Sequence, residues 1–442
     1  MVIICIVLKR RRQTPNGASR FPRTEDDDCE LGKLIENPEY VRNGIHQLKS
    51  RNILYVIGQL GNSVSTSGKK ITEEYAKNHI MSYEYHNYLD ISRRFSNLCS
   101  EKVFKLNCVN FIDGWGGLWN ENPCERHDTL NTIKKVVEQS QTIENKKFVI
   151  GIRTEIKDNL NCKLKALVIH MKENESLLLD SISTYKRQTL MEEIKLLQNS
   201  CSERDCGCKS LNLEQVSGIH QEPIGTYLVV KLMGLDHTMI PEFLLREVGP
   251  LKAMSNHFER LMERENIWSW LPYFVCLGYY DEEEFRPEIA DGFYISNAML
   301  SSYESIEKYV KRIQIQNLVP MWSTTFCCDP DVENKEKNER EVCVFRHNFL
   351  YICAFHACFK KYPKQILLFC NLDAILQLVR PKGYLDQLTI EADDIEVNFF
   401  CEERLKNLAK DNVLLEHPLI KDWKIGKKKK IKALGQYSKM VR

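Results

Sequence analysis

The residues best placed to do chemistry sit in one loop. Gly58-Gln59-Leu60-Gly61-Asn62-Ser63-Val64-Ser65-Thr66 follows a short apolar run, Ile53 to Ile57. A loop that grips phosphate needs G-x-x-x-x-G-K-[ST]. Its glycines let backbone N–H groups converge on phosphate oxygens, its lysine neutralises their charge, and its hydroxyl holds magnesium. This loop keeps the frame, Gly58, Gly61 and the hydroxyls of Ser65 and Thr66. Ser63 stands in place of the last glycine, and Val64 in place of the lysine. Gly68-Lys69-Lys70 offers a displaced Gly-Lys pair, with Ile71 rather than a hydroxyl after it.

Asp113 ends a second short strand, Val109 to Ile112, where a magnesium-orienting acid would stand. A hydrolytic site needs a further acid to handle water, and that place is Gly114. Without the lysine and the second carboxylate, phosphoryl transfer lacks both its clamp and its base. Losing such preorganised charges costs several kcal/mol of barrier apiece. Little or no ATP hydrolysis is therefore expected, and no catalytic residue is assigned.

These residues require a scaffold that brings strand ends together. Residues 38–50 read as a helix, with Pro38 in its first turn and Asn37 as cap. Ile53–Ile57 is a continuous apolar run, as a buried parallel strand is, and Val109–Ile112 and Phe148–Ile152 read as further short strands. Lys69–His79 and Glu125–Gln141 between them read as helices. The alternation implies an α/β layer architecture with a parallel sheet, the Ile53 and Val109 strands lying as neighbours. Ligands bind such sheets at the carboxyl ends of the strands. Gly58, Asp113 and Arg153 all fall there, so one site could see all three.

The rest of the composition narrows the classes. The 442 residues hold 62 Lys and Arg against 60 Asp and Glu, a net charge of +2. No global field selects nucleic acid, and no specific nucleic-acid partner is expected. At 43% hydrophobic residues the chain is not a disordered polymer. Its 17 Cys lie mostly inside apolar runs, as in a reducing, cytoplasmic protein. Cys201, Cys206 and Cys208 are the tightest group, with His220 downstream. Their close pair is C-x-C rather than C-x2-C, which matches no standard zinc knuckle, so no metal site is expected. His237 and His356 show no ligand spacing and read as structural.

At the start, Val2–Leu8 is an apolar run followed by Lys9 and Arg10–Arg12. It is too short to span a bilayer, which takes about 20 residues. It is either a frayed start or the remnant of a membrane exit in a longer protein. Residues 13–28 read as linker, and the Asn37-Pro38-Glu39-Tyr40 sequence as helix initiation. Asp281–Glu284 and residues 325–342 read as exposed loops. The lysines from Lys424 to Lys432 form a basic tail, solvated or in weak contact with anionic membrane.

In this order the features resemble a STAND-class signalling ATPase, and among these the animal "novel STAND" domains related to NACHT and NB-ARC receptors. ILYVIGQLGNSVST resembles the family's first strand and P-loop, in eroded form. VNFIDGWGGLW resembles its Walker B strand. FVIGIRTEI resembles its sensor strand, with Arg153 at the arginine that faces the terminal phosphate. Ile224–Gly234 resembles the GLPL segment, with Tyr227 where the adenine-packing proline stands. Glu242–Ile267 follows as an amphipathic helix. Phe345-Arg346-His347-Asn348 resembles the MHD-like motif of a winged helix, whose histidine approaches the β-phosphate. Glu402–Pro418 resembles the closing helical segment.

The resemblance covers residues 38–425. It implies a degenerate P-loop α/β domain (38–185), a helical subdomain (186–265) and a winged-helix and helical region (266–425), flanked by a basic N-terminal segment (1–37) and the tail (426–442). It implies ATP or ADP with magnesium as ligand, contacted by Gly58, Gly61, Ser65, Thr66, Lys69, Asp113, Arg153 and His347. It further implies a regulatory or scaffold protein, a pseudo-ATPase in innate-immune-type signalling that associates with itself and with protein partners. Two alternatives stand beside it. One is a working switch in which Lys69 or Lys70 curls back into the loop. The other is the cytoplasmic interaction region of a membrane receptor.

Overall fold

Strands that are apolar at every position can only be buried on both faces, and the computed structural model of this chain buries them so. It describes residues 38–61, 64–87, 103–113, 135–140, 146–154, 176–179, 184–219, 224–245, 248–264, 270–280, 286–295, 309–315, 340–383, 388–404 and 419. Helix α1 (Pro38–Ser50) leads into β1 (Ile53–Gly58), every residue of which is buried. Helix α2 (Val64–His79) follows, then β2 (Ser82–Asn87), β3 (Cys108–Asp113), β4 (Lys146–Arg153) and β5 (Ser176–Leu178). The five strands form one parallel sheet in the order β2-β3-β4-β1-β5.

The expected neighbour relation is corrected: β4 lies between the Ile53 and Val109 strands, pairing Ile53 with Phe148 and Phe111 with Val149. β2 and β5 were not foreseen, for a physical reason. Both are edge strands; β2 reads SYEYHN and β5 has three residues, so neither shows the apolar run of a central strand. Helix α2 starts at Val64 rather than Lys69. Leu54, Val56, Val109, Phe111 and Val149 line one sheet face, against Val41 and Leu48 of α1 and Ile71 and Tyr75 of α2. Of the expected Glu125–Gln141 helix, residues 135–140 are described and helical; the others lie outside the described residues.

A second, larger apolar cluster runs from Leu190 to Leu419 and takes in Leu60 of the loop after β1. The expected Glu242–Ile267 helix is broken: Ile240–Phe243 is one short helix and Gly249–Arg264 another. The first ends at Phe243 with Leu244 as its cap, and the second opens at Gly249, whose φ of +64 lies outside the helical region, followed by Pro250 in its first turn. The second helix buries Ala253, Met254 and Phe258 beside the Asn348–Lys361 helix, itself buried from Phe349 to Phe359. Strands β6 (Val310–Ile315) and β7 (Arg340–Phe345) form an antiparallel hairpin. Arg340–Val342 is thus strand, not loop, while residues 325–339 and Asp281–Glu284 lie outside the described residues. So do both termini, with the Val2–Leu8 run and the basic tail, and residues 405–418 of the closing segment. Among the described residues no helix is long and apolar enough to cross a membrane.

Candidate functional site

The sheet order makes the site possible. Gly58 ends β1 opposite Arg153, which ends β4, and Asp113 ends β3 on the other side of β4. Gly151 of β4 lies between. A β-carbon there would sit 2.9 Å from Asp113 Oδ1 and 3.1 Å from Val64 Cγ1. Glycine in that strand therefore lets a carboxylate from β3 and the first turn of α2 meet across β4. They do meet: the Ser65 hydroxyl donates a short hydrogen bond to Asp113 Oδ2. By frame and strand end, Ser65 and Asp113 stand at the places that a P-loop NTPase's magnesium-holding hydroxyl and acid take.

The lysine position lies in the same place. Val64 opens α2 and turns its isopropyl group toward Gly151, beside the Asp113 carboxylate. An ammonium there would face incoming phosphate; a branched hydrocarbon offers it neither charge nor donor. The displaced lysines are engaged elsewhere. Lys69 Nζ lies 5.6 Å from the centre of the Tyr85 ring, two residues short of the end of β2. Lys70 Nζ lies 3.7 Å from Glu74 Oε1, one turn along α2. Thr66 is half-buried in the first turn of α2. Asn62 and Ser63, and the Arg153 side chain, lie outside the described residues.

The Ile224 segment packs directly on the loop. Leu60 bridges to Ile224, and the Gly225 N–H donates to the Leu60 carbonyl (2.9 Å). Gly61 has φ +80, and a β-carbon on it would lie 2.5 Å from the Leu228 β-carbon. Glycine is needed here both for the turn and for this approach. Tyr227 points away from the loop's role: buried, it donates its hydroxyl to Glu193 Oε1 (2.9 Å), and burial followed by the Glu193 charge raises its pKa far above the ordinary phenol. The contact that the sequence pattern did not supply is therefore Leu228 on Gly61, one residue beyond Tyr227.

His347 is placed as a helix cap. It is buried, and its Nδ1 accepts the Phe349 N–H (3.0 Å) at the start of the Asn348–Lys361 helix. For magnesium and nucleotide the fit is partial. Ser65 and Asp113 are donors suited to magnesium, but Val64 stands where a lysine would hold the β- and γ-phosphates, and no hydrolytic step follows from the described residues.

The structure also gathers a cluster that the spacing had discounted. Cys201, Cys206, Cys208 and His237 present one ligand atom each, all within 4.8 Å of one another. Among the described residues His237 completes the group; His220 lies outside the described residues.

No protein-family model matches the chain, and no curated protein matches it. Among solved structures, a replication initiator DnaA bound to AMPPCP and single-stranded DNA is 12% identical, with TM-score 0.29, over 61% of this chain and 86% of that one. The Thermotoga maritima RuvB Holliday junction branch migration motor is 11% identical, with TM-score 0.28, over 63% of this chain and 90% of that one. The Aeropyrum pernix ORC2 protein, in ADPNP and ADP complexes, is 11% identical, with TM-score 0.31, over 78% of this chain and 99% of that one. Scores this low carry no function across. The class is defined by the sheet and loop themselves: a P-loop NTPase-like α/β fold followed by a helical C-terminal region.

Proposed function

We propose that this chain is a STAND-like regulatory module. In this reading its P-loop NTPase-like domain is a pseudo-ATPase that signals, in the innate-immune manner, by self-association and contact with protein partners. The observation that carries the reading is Val64: the lysine position is filled by an apolar side chain packed beside Asp113, while Ser65 and Asp113 remain bonded. A scaffold kept with its cation lost is what a switch that no longer hydrolyses would look like. The displaced-lysine alternative is disfavoured, because Lys69 lies over Tyr85 and Lys70 beside Glu74.

The test is titration calorimetry with ATP and ADP, with and without magnesium, alongside a phosphate-release assay and light scattering. Expected are weak or absent nucleotide binding, phosphate release equal to the buffer control, and an oligomer that forms without hydrolysis. Restoring the motif with Ser63→Gly and Val64→Lys should tighten ATP binding at least about tenfold, equivalent to about 1.4 kcal/mol. Turnover by the unaltered protein that is lost in Asp113→Ala would overturn the pseudo-ATPase reading.

A further inference from the structure

Most cysteines described here act as small apolar side chains. Cys276, Cys353 and Cys358 are fully buried in the large core, at 0 to 1% exposure. Cys201 and Cys206 are different: they are half-buried at the surface, and they converge with Cys208 and His237. The three segments share apolar packing, with Cys208 buried in one cluster with Leu197, Leu211 and Met239, and their four ligand atoms converge at its edge. Cys201 follows the Thr184–Ser200 helix, Cys206 and Cys208 begin the Gly207–Ser210 turn, and His237 opens the His237–Met239 turn.

We propose that Cys201, Cys206, Cys208 and His237 form a structural zinc site. Zinc takes thiolates at about 2.3 Å and imidazole at about 2.0–2.1 Å, in a tetrahedron, which sets ligand-to-ligand edges of about 3.6–3.8 Å. Cys206 Sγ lies 3.4 Å from His237 Nδ1, close to such an edge, and no pair in the group exceeds 4.8 Å. Small side-chain rotations close the remaining difference. The spacing is C-x4-C-x-C with a distant histidine, so the sequence shows three ligands and hides the fourth. The ligand chemistry selects the metal: soft thiolates with imidazole suit zinc rather than calcium or magnesium. Four protein ligands leave no open position, so the site is structural and not hydrolytic.

On binding, each thiol releases a proton to solvent. Three thiolates, a neutral imidazole and a divalent cation leave one net negative charge. Lys209 stands ready to offset it: its ammonium donates to the carbonyls of Cys201 (2.8 Å) and Gln198 (2.5 Å). The site's consequence is architectural. It ties the end of the Thr184–Ser200 helix to the turn after the Thr226–Leu235 helix, whose first residues press Leu228 and Gly225 onto the phosphate loop. Zinc would thus hold the segment that covers Gly61.

The test uses the full 442-residue chain purified from a reducing cytosol without added metal. Elemental analysis should find about one zinc per chain, retained through dialysis, as a closed four-ligand site holds it. Exchange with cobalt should give the intense visible bands of tetrahedral cobalt and thiolate-to-cobalt charge transfer. This spectrum needs no variant, so it stands even where a cysteine substitution fails to fold. His237→Cys should keep the metal, and His237→Ala should weaken its retention and alter the cobalt bands. Zinc that dialyses away, octahedral cobalt bands, or a disulfide mapped between any two of the three cysteines would overturn the proposal.

Discussion

At the scale of single residues, the candidate site is defined by what Gly151, Val64, Ser65 and Asp113 do to one another. Ser65→Ala removes the donor to a partly buried carboxylate. Hydrogen bonds to charged groups are worth about 1.5–3 kcal/mol, and partial exposure of Asp113 places the expected loss at the lower end, about 1–2 kcal/mol. A urea titration with unchanged slope and a lower midpoint would show it. Gly68→Ala poses two effects of opposite sign. Replacing glycine inside α2 favours the helix by about 1 kcal/mol. Yet a β-carbon on Gly68 would overlap the edge of the Phe111 ring, which is buried in the sheet core. Overpacking a fixed core costs about 1–3 kcal/mol, so a net loss of thermal stability is expected. The Val64 substitution was legible in the sequence because the motif has a fixed frame. The Gly68–Phe111 contact was not, since nothing in a linear spacing says which strand residue a helix glycine will face.

Among elements, the joints are made by polar groups that the apolar pattern does not reveal. Tyr309, just before β6, is fully buried and donates its hydroxyl to Asp236 Oδ2 (3.0 Å), while His257 Nε2 lies 2.7 Å from the same hydroxyl. Asp236 in turn accepts the Thr238 N–H and so caps the turn that carries His237. One hydroxyl therefore joins the hairpin, the Gly249–Arg264 helix and the end of the Thr226–Leu235 helix. Tyr309→Phe keeps the ring packing and deletes that link. It should destabilise the fold by about 1–3 kcal/mol, the cost of leaving buried partners less well satisfied, measured by chemical denaturation. The Gly249 break has the same lesson. Apolar residues at helical spacing continue from Leu244 to Leu261, yet the chain leaves the helix after Phe243 and re-enters it at Gly249.

Over the whole molecule, one buried imidazole makes stability depend on pH. His356 is buried in the Asn348–Lys361 helix, and its Nε2 lies 2.9 Å from the Leu388 carbonyl. Burial, aided by the Lys360 charge and opposed by the Leu388 carbonyl, pushes its pKa down to about 4. The folded form is thus neutral where an unfolded chain, at about 6.5, takes up a proton. Its contribution is complete above about pH 6.5 and is lost as pH falls toward about 4, because the unfolded state then binds more protons. By about pH 5 the loss should reach about 2 kcal/mol. Denaturation midpoints across this window should fall with acid in the unaltered protein, and less steeply in His356→Gln.

What the amino-acid order determined alone was the central scaffold and its loss of charge. β1 is apolar throughout up to Gly58, and β3 and β4 carry short apolar cores, which suit a parallel sheet covered on both faces; the loop frame locates Val64 and Ser65, and the end of β3 locates Asp113. Tertiary structure decided the rest. It set β4 between β1 and β3, added two edge strands without an apolar signature, turned His347 into a helix cap and brought His237 to three distant thiols. The reason is physical: burial on both faces is a local property that each residue declares by type. Strand order and the meeting of distant side chains arise only from how those buried faces pack together, and no short stretch of chain encodes that by itself.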